Sequence, residues 1–349
     1  MDYLRNAWYV AAWPTELPVG KLLARTLLDE PIVLFRDDQG RVSALFDRCP
    51  HRFAPLHRGR FKGDRIECGY HGLQFGGNGQ CVHNPYGEHA PPRARVRSHP
   101  VLEKQGVVWI WMGEADRADP ALAPDFPLLA DEKQWHTVRG YVLTPANYLL
   151  SIDNLMDLTH PEYLHDSSLG SPALKTANYE VIQESPCVVH SNRWFDEGPI
   201  PAAHGRRFPT NGQPVCHWVN MRWEAPSALW LDVGVTLTGR PRSEGLQSYA
   251  GHLVTPETAR STHYFFTFTL PKSQTGGPEE DARNIELLRS IFEDEDSAML
   301  AAVQQRMGDQ DLWSLKPAML PGDAGAVRVR QALEHLIEQE HAPAVRATA

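Results

Sequence analysis

Two short loops, each offering one cysteine and one histidine, constrain this chain more than any other feature. The first spans Cys49–His51 (C-P-H) and the second spans Cys68–His71 (C-G-Y-H), with sixteen residues between them. Each loop follows a predicted strand, and its glycine or proline favours a tight turn. The sequence therefore predicts a fold in which two neighbouring strand ends present all four side chains to one bound group.

Thiolates and imidazoles in such loops bind either tetrahedral zinc or an iron–sulfur cluster. Zinc sites usually pair like with like, as C-x(2–4)-C with H-x(3–5)-H, whereas each loop here supplies one ligand of each kind. That mixture suits a [2Fe–2S] cluster with two thiolates on one iron and two imidazoles on the other, the Rieske arrangement. We therefore predict a Rieske cluster bound by Cys49, His51, Cys68 and His71, with zinc as the alternative.

The flanking sequence predicts a small β domain. Residues 21–46 alternate short apolar runs with acidic and glycine turns, as antiparallel hairpins do, and 65–68 and 107–112 continue the pattern. The stretch 116–127 contains three prolines and little periodicity, which predicts a domain boundary. We assign residues 1–118 to an N-terminal all-β domain.

Residues 119–349 are predicted to form a second domain, in which helices flank an antiparallel sheet. Helices are expected at about 145–165, 280–306 and 324–341, and strands at 228–239 and 262–270. This mixture makes the whole chain an α+β protein.

Charge and composition exclude several classes of protein. With 34 Lys and Arg against 43 Asp and Glu, the net charge of −9 argues against a nucleic-acid binder. The apolar runs fall far short of the roughly 20 residues that span a membrane, and the N-terminus does not resemble a signal peptide. Five cysteines are too few for a secreted disulfide framework, so Cys81, Cys187 and Cys216 are expected to be packed thiols. We expect a cytoplasmic protein.

A second candidate site lies in residues 153–165, DNLMDLTHPEYLH. His160 and His165 are five residues apart, about 140° on a straight α-helix, so the helix must end or deform for both to reach one metal. Pro161 is the expected cause, and Asp157 shares a helix face with His160. Taken alone, this spacing fits two surface or core histidines equally well. Because a Rieske cluster in the same chain needs an acceptor for its electrons, we expect two histidines and one carboxylate to hold a mononuclear iron with open coordination positions.

The carboxylate is expected from the predicted helix at 285–307. Its apolar stripe consists of Ile285, Leu288, Phe292, Met299 and Val303. Asp296 falls on that stripe, where an acid costs free energy unless it is paired or bound to metal. Asp294 points to the opposite side, whereas Glu295 lies at the other edge of the stripe and stays an alternative.

With these motifs in place, the chain resembles the Rieske non-heme iron oxygenases, in particular the oxygenase components of vanillate O-demethylase, dicamba O-demethylase and toluenesulfonate methyl-monooxygenase. The likeness covers nearly the whole chain and includes RNAWYVAAW, CPHRFAPL, CGYHGLQF, DNLMDLTHPEYLH, TPET and HYFF. By position, the resemblance implies that the two loops hold the Rieske cluster and that His160, His165 and Asp296 bind mononuclear Fe(II).

The resemblance also implies an assembly. Family members are homotrimers in which the Rieske cluster of one subunit feeds the iron of its neighbour. Asp157 would hydrogen-bond a Rieske histidine, here His71, across the interface, and Asn154 would lie beside the iron. Isolated monomers are then expected to be inactive.

The implied activity is that of a terminal oxygenase. Electrons pass from NAD(P)H through a separate flavin and iron–sulfur reductase, or a ferredoxin, and no G-x-G-x-x-G follows a predicted strand of this chain. With O₂, a methoxylated aromatic acid such as vanillate would yield a phenol and formaldehyde. Methyl hydroxylation of an aromatic acid or sulfonate is the alternative. A Rieske electron carrier and a zinc-stabilised binding module are the competing functions, but a carrier needs only the first 118 residues.

Candidate substrate residues follow from the second half of the chain. Trp230 and Leu231 lie in the predicted strand SALWLDVGV, where successive side chains alternate faces. His252, in GHLVTPET, is a candidate for binding a carboxylate or phenol, with a structural histidine as the alternative.

Basic residues surround the Rieske motif and outnumber the acids, since Asp64 is the only acid in residues 48–65. We define the basic collar as Arg48, Arg52, Arg58, Arg60, Lys62 and Arg65. Such a collar is expected to steer an acidic electron donor, although ordinary solvated charge explains it equally well.

Overall fold

The computed structural model describes residues 2–165, 169–205 and 207–342. It contains two compact units. The N-terminal unit comprises Arg5–Asp125 and the short segment Thr255–Ala259, and the C-terminal unit comprises the rest of the described chain. The N-terminal unit thus ends beyond residue 118, the predicted boundary. None of the helices described reaches the length and apolarity that a membrane span requires.

The N-terminal unit consists of three antiparallel sheets, which confirms the all-β prediction. Strands β1 to β11 are Trp8–Ala12, Leu22–Leu27, Glu30–Arg36, Val42–Phe46, Arg60–Phe61, Arg65–Glu67, Gln74–Gly76, Cys81–His83, Ser98–His99, Val101–Lys104 and Val107–Trp111. The sheet orders are β1-β11-β10, β2-β3-β4-β9 and β5-β6-β7-β8. The strands β4 and β6 lead directly into the two Cys/His loops.

A single apolar cluster lies beneath those loops. It combines residues of β3, β4, β6 and β7, among them Val33, Phe35 and Phe75, with the two loop cysteines Cys49 and Cys68. Both cysteines are only 2% exposed. The core therefore fixes the cysteine end of each loop.

The C-terminal unit is built on one seven-stranded antiparallel sheet. Strands β12 to β18 are Trp135–Thr144, Asn178–Ser185, Val188–Gly198, Val215–Glu224, Ala228–Leu237, Leu246–Thr258 and Ser261–Pro271, in the order β12-β18-β17-β16-β15-β14-β13. Helices α1 to α6 are Tyr148–Met156, Pro161–Leu164, Ala202–Gly205, Pro278–Ser290, Ala298–Met307 and Ala324–His341. The α+β prediction is confirmed.

The region predicted as one helix at 145–165 contains two. Asn147 caps α1 by accepting a hydrogen bond from the Leu149 amide, and α1 ends at Met156 because Asp157 adopts an extended conformation (φ −85°, ψ 102°). Pro161 is the first residue of α2, where its missing amide hydrogen costs nothing. The expectation that Pro161 ends the helix was therefore wrong: the break precedes it, and Pro161 starts the next helix.

A π-helical segment, Ile291–Ser297, joins α4 to α5. A π-turn holds more residues than an α-turn, so it shifts the phase of every side chain that follows. Met299, predicted to face inward, is 50% exposed, whereas its neighbour Leu300 is buried. The predicted apolar stripe therefore describes the inward-facing side chains correctly as far as Asp296, but its assignment of Met299 to the inward face is wrong.

Helix α6 anchors α1 through an ion pair between the buried Arg330 and the partly exposed Asp153. The Arg330 guanidinium donates to both carboxylate oxygens of Asp153, with distances between 2.5 and 3.1 Å. Burial raises the pKa of Asp153, and the charge of Arg330 opposes that shift. This contact holds in place the helix that leads into the DNLMDLTHPEYLH motif.

Candidate metal centres

The two Cys/His loops have the same backbone construction. The amide of each cysteine donates to the carbonyl five residues on, Cys49 to Ala54 (2.9 Å) and Cys68 to Leu73 (2.8 Å). The residue four positions on donates back to the cysteine carbonyl and has a left-handed conformation, with φ 61° at Phe53 and 75° at Gly72. The two loops are therefore built as matching turns, an arrangement suited to holding one group between them.

The four predicted ligands meet as two like pairs. The Cys49 and Cys68 thiols are within hydrogen-bonding range, and burial, reinforced by Cys68, raises the pKa of Cys49 to about 11. The rings of His51 and His71 lie 4.5 Å apart between centroids. Such buried thiols become thiolates readily when a metal replaces their protons.

This pairing distinguishes between the two candidate cofactors. Ligands of one tetrahedral zinc must all lie close to one another. Among the residues that the structure describes, only one group of three or more His, Cys, Asp or Glu side chains has all its ligand atoms within 4.8 Å of one another. That group lies outside the two Cys/His loops. Separate thiol and imidazole pairs instead match a two-iron cluster with one pair on each iron.

The basic collar is partly neutralised by neighbouring acids. Arg60 pairs with Glu67 (2.9 Å) and Arg65 with Asp64 (2.6 Å). Arg48 instead lies over two aromatic rings. Its guanidinium carbon is 4.8 Å from the ring centroid of Phe46 and 5.5 Å from that of Phe53. The structure thus leaves less uncompensated charge around this site than the sequence indicates.

A second cluster gathers His160, His165 and Asp296, whose ligand atoms all lie within 4.8 Å of one another. Asp296 Oδ1 is 3.6 Å from His160 Nε2 and 3.2 Å from His165 Nε2. His160 immediately precedes α2 and His165 immediately follows it, so one short helical turn brings both rings to the same side. The donor set is that of a facial 2-His-1-carboxylate iron site, which leaves positions open for O₂ and substrate.

Each member of this cluster is held by a further hydrogen bond. His160 Nδ1 donates to the Asp157 carbonyl (2.6 Å), and His165 Nδ1 donates to Glu295 (2.5 Å). Asn154 Nδ2 donates to Asp296 Oδ1 (2.9 Å). Both histidines therefore present Nε2 to the shared position, as metal-binding histidines do.

Asp157 adjoins the cluster through its backbone rather than its side chain. The carboxylate oxygen Oδ1 accepts hydrogen bonds from the amide (2.8 Å) and the hydroxyl (2.6 Å) of Thr159. This turn fixes the Asp157 carbonyl that orients His160. The hydrogen bond to His71 expected of Asp157 involves a second subunit, so a single chain does not contain it.

Electrostatics differ between the two histidines. Burial lowers the pKa of His160, although Asp296 opposes the shift. Burial also disfavours the charged form of His165, but hydrogen bonds and charges from Asp296 and Glu295 outweigh it, so the pKa of His165 is raised. A cation at this position would take the place of a proton on His165 Nε2 beside Asp296, while Nδ1 keeps its hydrogen bond to Glu295.

His252 lies on the sheet face next to this cluster and has one unused nitrogen. Its Nδ1 is 2.6 Å from the Tyr264 hydroxyl, its ring packs against Phe292 of the π-helical segment, and burial lowers its pKa to about 4. Among the residues described, none hydrogen-bonds its buried Nε2. A neutral imidazole with a free nitrogen beside the metal cluster suits substrate binding.

Strand register separates the two other substrate candidates. Leu229 pairs with His252 and Leu231 with Ala250, so Leu231 shares the face of His252. Trp230 points to the opposite face, where it stacks on Phe126 (5.1 Å) and Tyr249 (5.7 Å). The structure does not bring Trp230 to the cluster.

Sequence reasoning missed two further histidines, His217 on this sheet face and His204 of α3, which contacts it. His217 and His204 lie 5.3 Å apart between ring centroids, and burial lowers the pKa of each to about 4. His217 pairs with Val235, which lies on the same face of β16 as Leu231 but four residues further along the strand. Because lone histidines carry little signal, only the alternation of β15 could have indicated this placement.

Comparison with protein families supports both centres. The Rieske [2Fe–2S] domain family matches residues 7–100. The vanillate O-demethylase oxygenase C-terminal domain family matches residues 144–339.

Known relatives match the chain from end to end. The oxygenase component of chloroacetanilide N-alkylformylase from Rhizorhabdus wittichii is 39% identical, with 98% of each chain covered. The oxygenase component of dicamba O-demethylase from Stenotrophomonas maltophilia is 39% identical over 98% of this chain and 100% of the relative. The oxygenase subunit of vanillate O-demethylase from a Pseudomonas strain is 34% identical, with 97% of each covered.

A crystal structure of dicamba monooxygenase bound to dicamba superposes with a TM-score of 0.89 at 38% identity, covering 97% of this chain and 99% of that one. Another structure of that enzyme contains non-heme iron. As an oxygenase component, the chain carries a Rieske [2Fe–2S] cluster and a mononuclear iron and depends on a separate electron donor. Together with the two sets of ligand residues, these matches show that the chain belongs to the Rieske non-heme iron oxygenases.

Proposed function

We propose that this protein is the terminal oxygenase of an aromatic O-demethylase, acting on a methoxylated aromatic acid such as vanillate. The observation that carries the proposal is the buried His160–His165–Asp296 cluster beside a sheet face that offers Leu231 and the unpaired Nε2 of His252. An apolar wall and one polar contact next to an oxygen-activating site suit a small aromatic ring with a polar substituent.

In this proposal the two Cys/His loops hold the Rieske cluster, and His160, His165 and Asp296 hold Fe(II). When bound there, iron supplies the open coordination positions and the redox chemistry that activate O₂. Cluster and iron sit in neighbouring subunits of a homotrimer, with Asp157 of one subunit hydrogen-bonded to the partner's His71. The electron donor is a flavin and iron–sulfur reductase, or a ferredoxin, that takes its electrons from NAD(P)H.

The reaction balances as a monooxygenation. One O₂, two electrons and two protons convert a methoxy group into a hemiacetal and one water. The hemiacetal then collapses to a phenol and formaldehyde with no further redox step. On a ring-bound methyl group, the same C–H oxidation stops at the hydroxymethyl product, which is the alternative activity.

His252 is the residue proposed to bind the polar substituent. Burial raises the pKa of Tyr264 well above the ordinary value, so its hydroxyl stays protonated and donates to His252 Nδ1. His252 Nε2 then carries the ring hydrogen and donates a hydrogen bond to a carboxylate or phenol oxygen of the substrate. Leu231 and the apolar sheet face enclose the ring.

Formaldehyde release from methoxybenzoates tests this activity. With NADH and a reductase of the flavin and iron–sulfur type, we expect formaldehyde equimolar with the demethylated product from vanillate, veratrate or syringate. Toluates, toluenesulfonate and a chloroacetanilide complete the panel. Hydroxymethyl products without formaldehyde would instead establish methyl hydroxylation. O₂ consumption without either product would rule out the proposed substrate class.

His252→Phe is expected to raise KM for the aromatic acid about tenfold to hundredfold while kcat changes little. A hydrogen bond to a charged group contributes about 1.5–3 kcal/mol, and one made equally in the ground and transition states affects KM alone. Steady-state kinetics measure the effect, with iron content as the control for an intact metal site. An unchanged KM would leave His252 as a purely structural histidine.

A further inference from the structure

We propose that Glu295 is a positioning residue for the mononuclear iron. Its carboxylate fixes the ring of His165 through Nδ1 and adds a negative charge that strengthens metal binding. This inference rests on the proposed role of His160, His165 and Asp296 as iron ligands.

Two consecutive residues contact the opposite edges of one imidazole ring. Glu295 Oε2 lies 2.5 Å from His165 Nδ1, and Asp296 Oδ1 lies 3.2 Å from His165 Nε2. The His165 side chain is only 2% exposed. A flip of the ring would break both contacts without water to replace them, so Glu295 sets which nitrogen faces the metal.

The two histidines of the cluster have unlike partners. His160 donates to a neutral backbone carbonyl, that of Asp157, whereas His165 donates to a carboxylate. An anionic acceptor makes a stronger hydrogen bond and increases the basicity of the ligating nitrogen. Nε2 of His165 is therefore the stronger metal ligand of the two histidines, because Glu295 accepts the hydrogen bond from Nδ1 of the same ring.

Charge balance supports the same role. Fe(II) carries two positive charges, and a buried ion is costly unless neighbouring charges compensate it. Asp296 supplies one negative charge, and Glu295, which keeps 31% of its side chain exposed, supplies the second. Because water partly screens Glu295, its contribution is smaller than that of the ligand Asp296.

The local helix geometry places Glu295 and separates it from its neighbour. Both Glu295 and Asp296 belong to the π-helical segment, in which Asp296 is buried and Asp294 is exposed. Asp294 instead accepts a hydrogen bond from the Ser290 hydroxyl (2.8 Å). Asp294 is thus a matched control: an adjacent acid of the same segment that faces away from the cluster.

Fe(II) affinity of the mononuclear site tests the role directly. Cluster-loaded protein is dialysed anaerobically against graded Fe(II), and bound iron above that of the Rieske cluster is quantified with a chelating dye. Glu295→Gln, which keeps an acceptor but loses the charge, is expected to weaken binding about tenfold, and Glu295→Ala about a hundredfold. Asp294→Asn is expected to bind like wild type, and the Rieske visible spectrum should be the same in all three.

Two outcomes overturn the inference. Glu295→Ala with wild-type Fe(II) affinity would show that the contact does not position His165. Equal losses in Glu295→Ala and Asp294→Asn would show a general effect of segment charge. Asp296→Asn separates this test from the proposed function, because it must lose Fe(II) binding if the ligand assignment is right. If Asp296→Asn binds normally, the ligand assignment fails, whatever Glu295 does.

Discussion

Cys68→Ser is expected to give a protein without the visible absorption of the Rieske cluster and without turnover. Cys68 is 2% exposed and forms a buried thiol pair with Cys49, so its loss leaves Cys49 as the one thiolate of that pair. A serine hydroxyl is a far poorer ligand for such iron than a thiolate. The loss should be complete, because every electron for O₂ activation passes through the cluster. Absorption spectra, acid-labile sulfide and turnover measure it.

Cys81→Ser is the matched control in the same unit. Cys81 is half-buried, its thiol contacts the His83 carbonyl at 3.4 Å, and it has no histidine partner in a matching loop. Its variant should keep full cluster content and turnover. Cluster loss in Cys81→Ser, or a retained cluster in Cys68→Ser, would contradict the ligand assignment. Fe(II) binding by the mononuclear site should persist in Cys68→Ser, which shows that the C-terminal unit is folded.

The features that could be predicted from the sequence are those that depend on the spacing of residues close together in the chain. The mixed C-x-H and C-x-x-H pattern indicated a two-iron cluster, because each loop is a self-contained turn whose hydrogen bonds depend only on its own residues. The α+β class followed from patterns of the same local kind. Asp296 was selected because an acid on an apolar stripe needs a partner.

Features that depend on the rotational phase of a helix, or on the pairing of strands far apart in the sequence, could not be predicted in this way. The π-helical segment shifts the helix by one position, so Met299 faces solvent although the α-helical period places it inside. The opposite faces of Trp230 and Leu231 were expected, but only the strand register shows which face carries His252. Likewise, the contact between Glu295 and His165 spans 130 residues of sequence.

The largest gain of activity is expected from mixing two chains that are each inactive. Cys68→Ser lacks the cluster and Asp296→Asn lacks the iron, so neither supports turnover alone. In the proposed homotrimer, electrons would pass from the cluster of one chain to the iron of the next. Each mixed trimer, whichever chain is in excess, has one contact in three that joins an intact cluster to an intact iron, so purified mixed trimers should regain about a third of wild-type turnover.

Co-expression with two different affinity tags, followed by purification on both, isolates the mixed oligomers for this assay. A mixture of Cys68→Ser with Cys49→Ser is the control, and it should stay inactive because no chain in it has a cluster. If the first mixture is also inactive although both tags are present, then electrons move within one chain and the proposed role of Asp157 at a subunit interface is wrong. Recovery that disappears when Asp157→Asn is added to the Cys68→Ser chain would assign the transfer to that residue, because this is the chain whose intact iron receives the electron.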